Sequence, residues 1–161
     1  MATANDKTNV CRILDGKKIK YVHHPLDSDC TNGVGLAALL GRDCEEVFKT
    51  LVTVGKSGEH YVFVIPVHLE LDLKKAAKTV GEKSIEMIPQ KELLPLTGYV
   101  HGGCSPIGMK KQIRTVFDLS AKEREIIFFS AGKIGHQIEI APAEAEKAIR
   151  IIYSDITTEE K

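Results

Sequence analysis

Short runs of apolar residues at strand period alternate with short amphipathic segments along the chain, and this pattern predicts its elements. Val47 to Val54 is rich in β-branched residues and reads as a strand. Lys56-Ser57-Gly58 turns it back into a second strand, His60 to Ile65. Further strands are expected at Ile19 to His23, closed by Pro25, at Ile85 to Ile88, and at Thr115 to Leu119. Glu125 to Ser130 turns through Gly132 to Gly135 into Gln137 to Ile140, and Ile151 to Ile156 adds a last strand. Helices are expected over Asn5 to Leu14, stopped by Asp15-Gly16, and over Val34 to Leu40, where Gly41 supplies the C-terminal cap. A third is capped by Asp72 and runs to Val80 before Gly81. Pro89 to Leu94 is a fourth, ended by Pro95, and Pro142 to Ile149 a fifth, with proline in its first turn. Asp27 to Gly33 is a polar loop, Gly98 to Gly108 a glycine-rich one, and Thr157 to Lys161 a frayed tail. Intermingled strands and helices with two hairpins argue for an α/β fold whose sheet is mixed and not purely parallel.

Composition narrows the class. The chain has 161 residues, enough for one domain, so residues 1–161 are expected to share a single core. Its 22 basic and 22 acidic side chains cancel, which excludes polybasic wrapping of nucleic acid and leaves only a local patch for any such contact. Tryptophan is absent and aromatics are 6%, too few for a base-stacking platform. No apolar run approaches the roughly twenty residues of a membrane span, and Met1 to Asp6 has no apolar signal segment. The cysteines Cys11, Cys30, Cys44 and Cys104 form no C-x-x-C. A cytoplasmic protein with reduced thiols is the simplest expectation.

Two segments carry candidate chemistry. In Val47-Phe48-Lys49-Thr50-Leu51-Val52 both faces of the strand are mostly apolar, and a lysine there is costly without a partner. Lys49 either meets a carboxylate, a set of carbonyls or an anionic ligand, or guards a sheet edge. Gly102-Gly103-Cys104-Ser105-Pro106-Ile107-Gly108 is the other segment. Its glycines permit close backbone approach, and successive amides there can meet one developing oxyanion. His101 beside Cys104 invites a thiol-hydrolase reading, against which stands an ordinary small core cysteine. Gly55-Lys56-Ser57 lacks the first glycine of a phosphate loop, since Thr50 stands in its place. His23, His24 and Cys30 could form a metal-binding cluster, but no metal-ligand spacing recurs, so no metal and no cofactor is expected. Lys110, Lys111 and Arg114 are either a small phosphate-contacting patch or a solvated charge run.

These two segments, with Ser130-Ala131-Gly132-Lys133-Ile134-Gly135 and Ile138-Glu139-Ile140-Ala141-Pro142, resemble the YbaK family over about Asn5 to Ile156. The resemblance implies a single-domain α/β fold with a mixed, largely antiparallel, barrel-like sheet and surrounding helices. It implies a trans-editing hydrolase of mischarged tRNA, with Cys-tRNA(Pro) foremost and Cys-tRNA(Cys) next. Lys49 matches the family's essential lysine, and Gly102 and Gly103 match the loop whose amides face the substrate carbonyl. Thr50, Cys104, Ser105, Pro106 and Gln137 fall at pocket positions. The charge patch after the glycine loop makes Lys110 and Lys111 the expected contacts to tRNA phosphates. The resemblance implies that no protein nucleophile is needed, because in the family picture the thiol of a cysteinyl substrate attacks its own ester. The implied partners are the acceptor end of tRNA and prolyl-tRNA synthetase, with no membrane and no DNA.

Three positions depart from the family pattern. Leu26 stands where tyrosine is frequent, Val34 where an aromatic is frequent, and Gln137 where many members carry aspartate or a small polar residue. By the resemblance Leu26 and Val34 are expected to line the amino-acid pocket or the adenosine site, where the missing aromatic rings bear on the preferred amino acid. Two other readings stand beside the deacylase. One is a module that binds aminoacyl-tRNA or a synthetase without turnover, and the other is a hydrolase dependent on Cys104.

Overall fold

The computed structural model describes residues 7–26 and 29–158. Helix α1 spans Asn9–Gly16 and is capped by Thr8, whose hydroxyl accepts the Cys11 N–H at 3.2 Å. The start expected at Asn5 lies outside the described residues, as do Asp27, Ser28 and the last three residues of the tail. The first strand, β1, is Val22–Pro25, three residues later than the pattern predicts. Ile19 is instead a buried plug whose N–H closes on Leu14 O, with Lys18 in the left-handed region at φ 58°. Pro25 is tolerated because it ends an edge strand.

The remaining elements follow in order. Helix α2 is Gly33–Leu40, with Gly41 at φ 70° as its cap. Strands β2 (Phe48–Gly55) and β3 (His60–Pro66) form the expected hairpin. Helix α3 is Leu73–Val80, β4 is Ile85–Met87 and α4 is Leu93–Thr97. Pro95 sits in the first turn of α4 and does not end the helix, because the missing N–H would have no partner there. Strand β5 (Thr115–Asp118) leads into α5 (Leu119–Lys122), β6 (Ile127–Ser130) and β7 (His136–Ile140). Helix α6 is one turn, Pro142–Ala145, shorter than expected, and β8 is Ile151–Ser154.

The strands form two sheets, ordered β1-β7-β6 and β4-β2-β3-β5-β8. Four pairings are antiparallel, and β3–β5 and β5–β8 are parallel. The mixed, largely antiparallel expectation holds, but among the described residues the sheets are joined only by a β-bridge between Val47 and Phe128 and do not close into a barrel. One core lies between them. Val52, Val62, Val64 and Phe117 meet Ile127, Phe129 and Ile138 there, with α1 adding Val10, Cys11 and Leu14. The opposite face of the larger sheet buries Phe63, Ile65 and Val116 under α3. Thr157 is not frayed. It bridges Leu71, is buried, and its carbonyl accepts Lys75 Nζ at 2.9 Å.

Candidate functional site

Strand β2 lies inside its sheet, yet its neighbours on one side leave a gap. β4 pairs only with Thr53 to Gly55, and the bridge to β6 starts at Val47. Adjacent strand residues point to opposite faces, yet every residue from Val47 to Val52 lines one cavity of about 350 Å3. The cavity therefore follows the strand's unpaired edge. This is an interior wall, which removes the sheet-guarding reading of Lys49. Leu36, Val67, Met87, Ile88 and Leu93 give the cavity an apolar character, while Lys49, Thr50, His101, Cys104, Ser130 and Gln137 supply polar atoms. Such a mixture suits a small ligand with a few oriented polar groups.

Lys49 is half-buried opposite Ile65 on β3. Burial pushes its ammonium below the usual lysine range, and Glu70 pulls weakly the other way. No hydrogen bond or ion pair holds its Nζ among the described residues. Beside it, the Thr50 hydroxyl is buried without a hydrogen-bond partner. The same holds for the Gln137 side-chain oxygen, on a residue only 4% exposed. Buried polar atoms are normally paired, so two orphans lining the same cavity mark where a ligand's polar groups belong.

The glycine loop lines the same cavity through His101, Gly102 and Cys104. The Gly103 N–H donates to Val100 O at 2.9 Å, which closes a β-turn with His101 and Gly102 at its centre. Gly102 takes φ 88°, as the third residue of a type II turn requires. A Cβ there would also lie 2.5 Å from Thr31 Cγ2. The expectation that both glycine amides face the substrate needs correction. The Gly103 amide is committed to Val100, and Gly103 backs the cavity without lining it. The Gly102 amide has no partner among the described residues.

Cys104 lines the cavity, but burial pushes its thiol up to about 12. Nearly all of it is protonated at neutral pH, and no hydrogen bond joins it to His101 among the described residues. An activated nucleophile needs the reverse environment, so the thiol-hydrolase reading is set aside. Ser105 is fully buried and its hydroxyl accepts the Ile107 N–H at 3.2 Å. With buried Pro106 it shapes the loop from behind. Leu26 donates its N–H to Gly135 O, and Val34 is 49% exposed on α2; neither lines the cavity. Lys110 reaches Pro95 O at 3.4 Å and Lys111 is exposed, both outside the lining. His23 and His24, candidate ligands in sequence, point to opposite faces, His23 to His136 and His24 to Glu139.

Sequence reasoning missed Thr31, Leu36, Val67, Met87 and Leu93 as wall residues, because they come from loops, helices and the strand β4, far apart in the chain. Ser130 had a signal, since it opens the Ser130-Ala131-Gly132 motif, and its hydroxyl accepts the Gly132 N–H at 3.0 Å.

Comparison with known proteins gives concordant results. The model of the aminoacyl-tRNA editing domain matches residues 29–148. A protein of Enterococcus faecalis named "Putative Cys-tRNA(Pro)/Cys-tRNA(Cys) deacylase EbsC" is 43% identical over 156 residues, covering 96% of this chain and 95% of that one. A proline–tRNA ligase of Pelobacter propionicus is 31% identical over 87 residues, 54% of this chain but 15% of the ligase. Among solved structures, that of the hypothetical protein APE2540 superposes with a TM-score of 0.87 at 23% identity, covering 94% of this chain and all of the other.

Proposed function

The chain belongs to the aminoacyl-tRNA editing domain family, and on that premise we propose that it deacylates mischarged tRNA in trans, with Cys-tRNA(Pro) as the leading substrate and Cys-tRNA(Cys) the next. The observation that carries this reading is the cavity itself. It brings together the Lys49 ammonium, two orphaned buried oxygens and Gly102, with no partner for the Lys49 ammonium or the Gly102 amide among the described residues. A volume of about 350 Å3 suits one small acyl group with part of its nucleoside.

The chemistry asked of such a site is modest. Proline and cysteine differ too little for one pocket to reject either by more than about 1–3 kcal/mol, so a second site must remove the error. The aminoacyl ester is already activated. In the reading proposed here, Lys49 anchors the ester region or the terminal ribose. The Gly102 amide meets the developing oxyanion, a contact of a kind worth about 2.7–4 kcal/mol in the transition state. Thr50 and Gln137 orient the acyl group, Ser105, Pro106 and Gly103 hold the loop, and Cys104 is an apolar wall. For a cysteinyl ester the substrate thiol attacks the carbonyl carbon, an intramolecular step favoured by enforced proximity. The ribose oxygen then leaves and a cyclic thiolactone forms. Lys110 and Lys111 contact the phosphates of the acceptor end.

With no net charge, the domain is expected to hold tRNA weakly alone, and prolyl-tRNA synthetase is the proposed source of tRNA selection in the cytoplasm. Deacylation of Cys-tRNA(Pro), Ala-tRNA(Pro) and Cys-tRNA(Cys), each followed as loss of the ester bond, tests the reading. Fastest loss from Cys-tRNA(Pro) supports it. Tight binding of all three without turnover would identify a binding module instead.

A further inference from the structure

Only Lys49, His101 and Cys104 among the cavity's lining residues carry a side chain that gains or loses a proton in the ordinary pH range. Burial holds the Cys104 thiol protonated, and Lys49 has an anchoring role in the proposed function. His101 is left without a role. It is solvent-exposed, lines the cavity, and has no hydrogen-bond or ionic partner among the described residues. It occupies the position before Gly102 in the β-turn closed by Gly103 N–H and Val100 O. An imidazole and a free amide thus stand one residue apart on the same wall.

Ester cleavage within this cavity requires two proton movements. The attacking thiol or water must lose a proton as its sulfur or oxygen bonds to the carbonyl carbon. The ribose oxygen must gain one as its bond to that carbon breaks. The peptide groups of the wall can stabilise charge but cannot carry a proton between these sites. We propose that His101 is that carrier: its neutral ring accepts the proton from the attacking thiol or water, and the resulting imidazolium returns it to the departing ribose oxygen. Protons balance within one turnover, and no oxidant, metal or co-reactant is required. Imidazole suits the task because histidine exchanges protons near neutral pH. Lys49 is the charged side chain that lines the same cavity, and the backbone of Lys133 packs on Gly103. The inference rests on the deacylase reading.

The test is single-turnover deacylation of Cys-tRNA(Pro) as a function of pH by the wild type, His101→Gln and His101→Ala, with folding checked by circular dichroism. General acid–base catalysis contributes about 10²–10⁴-fold. His101→Gln is expected to lose at least the lower end of that range in rate with little change in KM, and to lose the acidic limb of the pH–rate profile. Added imidazole is expected to restore part of the rate to His101→Ala. A folded His101→Gln with the wild-type rate and pH profile would overturn this inference and leave the deacylase reading intact. An inactive wild type would overturn both.

Discussion

At the scale of single residues, function and stability pull in opposite directions at Lys49. Its burial, with no fixed partner among the described residues, disfavours the charged form. Because its folded pKa lies below the ordinary 10.5, folding is penalised while the group is charged. That penalty is relieved as pH rises through the window between the folded value and 10.5. The activity runs the other way, since the proposed anchor must be an ammonium. Deacylation is therefore expected to fall at alkaline pH, beginning below the ordinary lysine range, where unfolding free energy should rise slightly. Lys49→Met should abolish deacylation yet raise Tm, and its stability should lose this alkaline rise. A lower Tm would mean that the lysine makes a stabilising contact. Cys104→Ala should lose less than tenfold in rate, whereas loss of a covalent nucleophile costs on the order of 10⁶-fold. Lys49 was legible in sequence because a lysine in an apolar strand is anomalous. The orphaned oxygens of Thr50 and Gln137 were not, because satisfaction of a hydrogen bond depends on partners from other elements.

At the scale of elements, the glycine loop is the sensitive one. Gly102→Ala would place a side chain at φ 88° and drive its Cβ into Thr31. Left-handed backbone alone costs about 1–2 kcal/mol. The predicted outcome is a folded protein with lowered Tm and deacylation down by more than tenfold, since the turn carries both the free amide and His101. Gly103→Ala would meet the backbone of Lys133 and Ile134 at 3.0–3.4 Å, a strain on the loop's footing. The hairpin of β2 and β3 and the caps at Gly41, Asp72 and Gly81 were readable locally, since each rests on a few adjacent residues. The start of β1 was not. Its position follows from Ile19 docking on α1 and from pairing with β7, more than a hundred residues away. Likewise α6 stops after one turn although its sequence would carry a longer helix.

At the scale of the whole molecule, one core joins the two sheets, so they should unfold together. Asp118 reinforces that unity. Its buried carboxylate accepts the Ser120 N–H and hydroxyl and the Ile156 N–H, tying β5 to α5 and the C-terminal segment. Urea unfolding followed by tyrosine fluorescence and far-ultraviolet circular dichroism should give coincident transitions. Two separated transitions would contradict the single-domain organisation. The pairing of the sheets was hidden from sequence, since the Val47–Phe128 bridge and the unpaired edge of β2 arise only when distant strands assemble. That edge makes the cavity, and the central claim is that the cavity performs the chemistry. The decisive measurement is the single-turnover decay of Cys-tRNA(Pro) with wild type and Lys49→Met at neutral pH. The account predicts rapid loss of the ester with the wild type and a rate with the folded variant at the spontaneous background. Equal rates for the two proteins would place the reaction outside this cavity.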